Sequence, residues 1–573
     1  MPFSVGTSPD CRSGDVRQMS FADNDELLFL PLGGAGEIGM NLSLYGWGPP
    51  GRHRWLMIDC GIGFNNNTIP GVDILVPDPA FIVERREQLV GLVLTHAHED
   101  HLGAVPYLWP ALRCPVFATP FARAVLQRKI GEGTPASGLR PMPIPANGHL
   151  EVGPFALQVI GMTHSIPEAQ AIVVRTPAGA ILHTGDWKLD PDPVVGPTSD
   201  EAALQALGEE GVRALVCDST NVFVPGNAGS EGSLAPSLRQ VIAGCPQRVV
   251  VTCFASNVAR LATIAAAAHA NGRVVVTAGN ALRRNYAAAR ECGYLGDVPP
   301  FLEDNLAGRL SRRQTLILCT GGQGEPRAAL ARIAAGEYPR VTLEAGDTVI
   351  FSSREIPGNE LAIGRLQNTL LRLGVGVITD RQERIHVSGH PPRGDLERMY
   401  ALVRPNVSVP VHGEYRHMLE HVRFARNLNV PETILAENGT MVRLAPGPAQ
   451  VIDHVPAGRL SLEGNRLVPI DGELVRSRTK AIYNGTVAVT VVLERTSTAV
   501  RQVQISCVGV VEQGEEQVVQ DMQDAVCRSV GVLPPDRYED DESVAEVARL
   551  AVRRAARQVI DKRPFTQVHV VRV

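Results

Sequence analysis

Thr95-His96-Ala97-His98-Glu99-Asp100-His101-Leu102-Gly103 puts three histidines and two acids into six consecutive positions, 96 to 101. Directly before it runs Leu89-Val90-Gly91-Leu92-Val93-Leu94, an apolar segment that reads as a short buried strand. A core gains nothing from a cluster of polar groups, because each costs free energy to bury unless it finds a partner. In extended chain, residues two apart project to the same side. His96 and His98 can therefore point at one ion as the strand ends, and the turn that follows redirects Asp100 and His101 toward a neighbouring position. Zinc and manganese take imidazole and carboxylate readily, and two such ions sharing a carboxylate suit in-line phosphoryl chemistry. A lone histidine is ordinarily a satisfied core or surface residue; His-X-His-X-Asp-His at the end of a strand is read as a metal site.

The rest of the composition sets bounds. A chain of 573 residues has room for about three or four domains, each with its own core. Hydrophobic content of 44% with 20% charged residues is that of an ordinary globular protein. No run approaches the about 18 apolar residues of a membrane span. The first two dozen residues are polar and lack the apolar stretch of a secretory signal, so a cytoplasmic location is expected. The ten cysteines (Cys11, Cys60, Cys114, Cys217, Cys245, Cys253, Cys292, Cys319, Cys507 and Cys527) include no C-x-x-C pair. They read as reduced, buried small hydrophobes rather than zinc ligands or disulfides. A net charge of −5 excludes nucleic-acid binding by global charge, so any polyanion would need a local basic channel.

Short apolar runs alternate with glycine turns and helical stretches from Leu27 to about Asn221, an α/β texture. "AIVVRTPAGAILHTGDWKLD" reads as a hairpin whose second strand stops at His183-Thr184-Gly185-Asp186. From about 235 to 380, strand and helix repeat: "RVVVTCF", "NVARLATIAAAAHA", "RVVVTAG", "TLILCTGGQGE" and "PRAALARIAAG" predict a parallel α/β unit. The "APGPAQ" stretch near 445 reads as a linker. Beyond it, a hairpin opening at Gly485-Thr486-Val487, a helix over 544–561 and a last strand, "TQVHVVRV", predict a small α+β unit.

The signature "THAHEDHLGAVPYL" resembles that of the metallo-β-lactamase fold, and the rest of the chain is similar to ribonuclease J, in the β-CASP branch of that superfamily. The matching segments include "LGGAGEIGMN", "MIDCG", "PGVDILVPD", "THSIPEA", "HTGDWKLD", "CDSTN", "FASNVAR", "GGQGEPRAAL", "SSREIPGNE", "HVSGHPPRGDL" and "PVHGEYRH". The resemblance implies an αββα metallo-β-lactamase sandwich with an inserted β-CASP α/β domain and a small α+β C-terminal domain. The corresponding boundaries are a flexible leader at 1–24, a sandwich built from 25–225 and 391–447, and an insert at 226–390. A linker at 448–460 and a C-terminal, dimerising domain at 461–573 complete them.

Carried over by motif, His96, His98 and His164 would hold one divalent ion, and Asp100, His101 and His412 the second, with Asp186 bridging. Asp100 counts both as ligand and as catalytic residue. The positions are also apt in themselves, since Asp186 and His412 end strands, where α/β sheets gather ligands. Asp59 and Asp73 are expected to orient the metal histidines rather than bind metal, and His183 to make a structural hydrogen bond. His390 of "VSGHPPRG" matches the family's general acid, with Asp218 to orient it; read alone, Asp218 of "CDSTN" is a helix cap. The resemblance implies a 5′-phosphate and RNA pocket drawing on Ser256, Asn257, Arg283, Arg284, His386, Ser388, Gly389 and His390. Relatives often carry Arg and a small hydroxyl residue after "VVVTAG", where this chain has Asn280-Ala281-Leu282. Other candidate cations for RNA are Arg309, Arg312, Arg313, Arg327 and Arg354, of which a minority is expected to touch phosphate.

The implied activity is two-metal hydrolysis of single-stranded RNA with Zn2+ or Mn2+, 5′→3′ exonucleolytic from 5′-monophosphate ends and endonucleolytic besides. It would serve RNA maturation and mRNA decay, in a homodimer or a tetramer, alongside partners in an RNA-decay complex. Two other readings stand beside it: a DNA-processing β-CASP nuclease or a small-molecule hydrolase of the wider fold, and a non-catalytic RNA-binding subunit. The second would show a damaged ligand set, and here all seven ligand positions and His390 are filled.

Overall fold

The computed structural model describes residues 24–65, 69–130, 135–145, 147–356, 358–495 and 499–573. The leader expected at 1–24 lies almost wholly outside the described residues. The chain divides into two compact units: residues 1–63 with 77–458, and residues 64–76 with 459–573.

In the first unit, two sheets enclose a common core. One has eight strands in the order 450–454, 440–445, 26–33, 42–48, 54–58, 89–93, 116–118 and 142–143. The other has seven, ordered 149–152, 155–161, 170–176, 179–183, 214–218, 407–411 and 432–433. Strand periodicity builds the layers, because successive side chains leave on opposite faces. Ile172, Val174, Ile181 and Val216 join Phe29, Leu56 and Val93 between the sheets. Their chain neighbours Ala171, Val173, Leu182 and Leu215 meet Leu204, Met399 and Phe424 on the outer face, which come from helices Glu201–Glu210, Arg393–Val403 and Tyr415–Asn427. This is the expected sandwich, and the predicted hairpin pairs Thr176 with Gly179.

The predicted parallel unit is a six-stranded sheet ordered 302–303, 274–278, 315–319, 249–252, 348–351 and 376–378, with all five neighbouring pairs parallel. Both of its faces are covered, as a parallel sheet requires: Val249, Val251, Leu316 and Leu318 feed one core, and Val250, Ile317 and Cys319 the other. Where the insert leaves the sandwich, the buried Arg260 meets Glu231 through Nε–Oε1 at 2.5 Å and donates to the Ser352 carbonyl at 2.9 Å. The buried Lys188 pairs with Asp190 at 2.7 Å and donates to the Gly229 carbonyl at 3.1 Å. These paired, hydrogen-bonded charges fix the chain path across the junction.

The structure differs from the sequence reading at several points. Residues 450–454 form an edge strand against Thr440–Ala445, so the stretch read as a linker begins inside a sheet. Residues 64–76 fall in the second unit, because strands Gly63–Phe64 and Ile74–Pro77 share a sheet with Arg459–Glu463 and Arg466–Pro469. Asp73 is an exposed residue of that unit, and Asp59 takes the orienting role expected of it. The second unit also holds the predicted hairpin, Thr486–Leu493 with Val500–Val508, and the last strand Phe565–Arg572, which pairs parallel to the first. Helices Glu473–Asn484 and Glu516–Gly531, which periodicity did not single out, accompany the expected one at Asp541–Ile560. Six cysteines are buried as expected, but Cys292 and Cys507 are half-buried and Cys527 is exposed.

Candidate metal centre

Strand ends assemble the centre. His96 follows Leu89–Val93, His164 follows Phe155–Gly161, Asp186 follows Gly179–His183, and His412 follows Val407–Val411. Two of the turns demand unusual backbone: His412 has φ 51° and Asp59 φ 62°, positions that non-glycine residues seldom adopt and that concentrate at functional sites. Gly389 is needed for a different reason. A Cβ there would lie 2.8 Å from His164 Cε1, whereas glycine lets its carbonyl accept from His164 Nδ1 at 2.6 Å.

All seven expected ligands converge. His96, His98, His164 and Asp186 offer ligand atoms within 4.8 Å of one another, and so do Asp100, His101, Asp186 and His412. Asp186 belongs to both groups: its Oδ2 lies 3.2 Å from His101 Nε2, 3.7 Å from His412 Nε2, 3.8 Å from His164 Nε2 and 4.0 Å from His96 Nε2. Asp100 Oδ2 stands 3.1 Å from His412 Nε2. His98 Nδ1 faces His96 Nε2 at 3.0 Å and His164 Nε2 at 3.1 Å. Three imidazole nitrogens converging this closely cannot all be satisfied by one another's protons, and the buried Asp186 Oδ1 has no hydrogen-bond partner. A divalent cation in each group resolves both conflicts, since it takes lone pairs from neutral imidazole and from carboxylate. The residues fit the ions that the motif implies.

Electrostatics agree with neutral ligands in the first group. Burial, joined by neighbouring imidazoles, pushes His96 and His164 well below the usual histidine range, and burial brings His98 down to about 4. Around His101 and His412 burial acts in the same direction, but the carboxylates of Asp186, Asp59 and Asp100 outweigh it at His101, and those of Asp186, Asp100 and Asp218 at His412.

A shell of partners holds the ligands. Asp59 Oδ2 accepts from His101 Nδ1 at 2.7 Å, and its two oxygens take the Thr95 N–H and hydroxyl, each at 2.8 Å. Thr220 Oγ lies 2.8 Å from His412 Nδ1. Asn41 Nδ2 sits 3.0 Å from His101 Nε2. Sequence reasoning passed over Asn41 and Thr220; each stands inside a family segment, but neither residue type signals metal by itself. Outer partners that orient ligating histidines are worth about 10- to 100-fold in metal affinity. Asp59→Ala is therefore expected to weaken metal binding by about that factor, read by titrating the metal-free protein with zinc; unchanged affinity would remove Asp59 from the centre.

His390 and Asp218 form a third cluster with Asp186 and His412. His390 Nδ1 is 2.7 Å from Asp218 Oδ2 and 3.8 Å from Asp186 Oδ2. Against the opposing cost of burial, the Asp218 carboxylate raises the His390 pKa, and His390 in turn holds Asp218 below the usual carboxylate range. Asp218 Oδ1 also accepts the Thr220 N–H at 2.8 Å. It caps a turn, since no helix follows it. His183 makes the structural bond expected of it, Nδ1 to the Tyr45 hydroxyl at 2.8 Å.

The expected phosphate-pocket residues are brought together only in part. Ser388 Oγ accepts from Asn221 at 2.8 Å, and the His390 carbonyl accepts from the same amide at 3.0 Å, so Asn221 ties the 388–390 loop in place. His386 is pushed down to about 3 by burial and by the Arg260 guanidinium, 3.4 Å from its Nδ1. Asn257 caps helix Val258–Ala270, accepting the Arg260 N–H at 2.9 Å, while Ser256 beside it is half-buried. Arg283 and Arg284 lie on another helix, Asn280–Glu291; Arg283 bonds Asp304 at 2.9 Å and Asn280 at 2.6 Å. Among the other cations, Arg312 is engaged by Asp347 and Glu344, whereas Arg309, Arg313, Arg327 and Arg354 are exposed.

Four family models match the chain: the ribonuclease J beta-CASP domain over residues 246–370, the metallo-beta-lactamase superfamily over 46–214, the RNA specificity domain of Zn-dependent metallo-hydrolases over 375–432, and the ribonuclease J C-terminal domain over 473–573. Ribonuclease J of Sinorhizobium meliloti is 43% identical over 555 residues, which is 96% of this chain and 98% of the relative. Ribonuclease J of Thermus thermophilus is 36% identical over 479 residues, 81% of this chain and 82% of the relative. A crystal structure of a protein of unknown function from Enterococcus faecalis superposes with a TM-score of 0.51 at 18% identity, covering 73% of this chain and 100% of the other, a likeness of fold. Among the described residues, no helix is long and apolar enough to cross a membrane.

Proposed function

Because the chain belongs to the ribonuclease J family, we propose that it degrades single-stranded RNA 5′→3′ from 5′-monophosphate ends and also cuts internally, in RNA maturation and mRNA decay in the cytoplasm. Family membership by itself makes it a metal-binding, RNA-binding hydrolase of the nuclease class. The observation that carries the finer reading is the arrangement of two ligand groups around Asp186 with the His390–Asp218 pair alongside.

In this reading His96, His98, His164 and Asp186 hold one ion, Zn2+ or Mn2+, and Asp100, His101, His412 and Asp186 the other. Two such ions supply a water-derived nucleophile near neutral pH and offset charge on the phosphate oxygens. The remaining work falls to the chain. Asp59, with Thr95, keeps His101 in place, and Thr220 does the same for His412. Asp218 binds Nδ1 of His390, which leaves Nε2 as the nitrogen that can hand a proton to the departing 3′-oxygen. The neutral His386, Ser388 and the Gly389 backbone lie on the loop beside this pair and suit a terminal phosphate; glycine-rich loops and hydroxyls bind anions in this way.

The test is to incubate 5′-monophosphate and 5′-triphosphate forms of one RNA, and a DNA of the same sequence, with the metal-loaded protein and to size the products. Mononucleotides from the monophosphate RNA alone are expected. Equal decay of both RNAs would remove the terminal-phosphate reading, and equal decay of DNA would favour a DNA nuclease. The protein is further expected to assemble as a dimer or tetramer, with the C-terminal unit as interface, and to engage partners of an RNA-decay complex. Ile482, Tyr483, Val508 and Val532 expose apolar side chains on that unit. Sedimentation equilibrium at the mass of one chain would overturn the assembly.

A further inference from the structure

A cavity of about 470 Å3 opens in the inserted domain and shares no residue with the metal centre or the 386–390 loop. It lies at the carboxyl ends of strands Val274–Ala278 and Thr315–Cys319, the edge at which parallel α/β sheets receive ligands. Its lining holds four arginines, Arg283, Arg327, Arg332 and Arg340, against one carboxylate, Asp304. In a protein whose net charge is −5, four guanidiniums around one cavity form a strong local reversal of sign.

The cluster is built. Asp304 is 1% exposed and acts as its anchor: Oδ1 accepts from Arg340 at 2.8 Å, and Oδ2 from Arg283 at 2.9 Å and from the Tyr338 hydroxyl. Arg332 lies 5.4 Å over the Tyr338 ring and donates to the Glu337 carbonyl at 3.2 Å. Guanidiniums held in this way lose little freedom when a ligand arrives, and their planar forks match phosphate oxygens. The helix Asn280–Glu291 begins on the same cavity with Gly279 as an N-cap that makes no side-chain bond, which adds partial positive charge to the arginines. Ala328, Ala329 and Pro339 give the cavity an apolar wall. Its volume falls in the range of small-molecule sites, about 300 to 1,000 Å3.

We infer that this cavity is a binding site for a free nucleoside polyphosphate, whose phosphates meet the arginine cluster while its base and ribose rest on the apolar wall. Four guanidiniums on one cavity offer more donors than a single diester uses, which suits a di- or triphosphate. The concave shape suits a compact ligand rather than a passing strand.

The experiment is calorimetric titration of the full chain with ATP, AMP and a 5′-hydroxyl pentauridylate, in EDTA so that no divalent ion can draw phosphate to the metal centre. ATP is expected to bind one per chain, more tightly than AMP. The double variant Arg327→Glu/Arg332→Glu is expected to weaken it at least tenfold, and His98→Ala to leave it unchanged. Both arginines are exposed, and the charge-removing pair Arg327→Gln/Arg332→Gln, with melting curves for each variant, separates lost binding from lost folding. Absence of ATP binding would overturn the site, and so would ATP binding indifferent to the arginines. Arginine-dependent binding of the pentauridylate without ATP binding would make the cavity part of an RNA track and overturn the free-nucleotide assignment.

Discussion

Asp186→Ala is expected to lower RNA cleavage by about 10³-fold or more, with loss of bound metal and retention of RNA binding. The size follows from what the carboxylate is placed to do. Its Oδ2 stands within 4.0 Å of imidazole nitrogens from both ligand groups, so its loss removes a ligand from each at once. Metal-centred stabilisation of a phosphoryl transition state is worth several kcal/mol, and each 1.36 kcal/mol is a factor of about ten, so about 4 kcal/mol gives the stated loss. The measurement is single-turnover cleavage of a 5′-labelled RNA together with the metal content of the purified variant. His98→Ala, which takes a ligand from one group only, is expected to follow the same course with metal loss confined to that group. Full activity in Asp186→Ala would sink the two-ion centre, and wild-type protein that binds RNA but never cleaves it would make the chain a binding subunit.

His390→Ala is expected to leave metal content unchanged and to reduce kcat by about 10²- to 10⁴-fold, the range for a positioned general acid. His390 Nδ1 is engaged by Asp218 at 2.7 Å, which orients the ring and supports its protonated form. Asp218→Asn is expected to act in the same direction by a smaller factor, because the bond persists without its charge. An RNA carrying a leaving group that needs no proton, such as a 3′-bridging phosphorothiolate, is expected to rescue His390→Ala and not Asp186→Ala. That contrast separates proton delivery from metal binding. Loss of metal in His390→Ala would instead move His390 among the ligands.

Much of the centre was legible in the chain because its chemistry is dense in local sequence. His96, His98, Asp100 and His101 declare themselves by spacing at the end of an apolar run, whereas the sandwich was implied by the family resemblance, since Ala171, Ile172, Val173 and Val174 are all apolar and carry no period of two. His164, Asp186 and His412 were placed by family motif, since no local pattern links the 96–101 cluster to single residues so far along the chain. Asn41, Thr220 and Asn221 stayed hidden because amides and hydroxyls signal nothing until a ring nitrogen or a carbonyl stands 3 Å away. The cavity in the inserted domain was equally hidden: Arg283 read as a candidate for the terminal-phosphate pocket, and nothing in the sequence joins it to Asp304.

By itself, then, the sequence determined that the 96–101 cluster is built to meet metal and that strands and helices alternate from about 235 to 380. These follow from side-chain chemistry and from periods of two and 3.6 residues, both local properties of the chain. Tertiary structure alone decided that strands Gly63–Phe64 and Ile74–Pro77 share a sheet with Arg459–Glu463, and that four arginines and one buried carboxylate line a single cavity. Each of these depends on distances between segments remote in the chain, which are fixed only when burial of apolar faces brings the segments together.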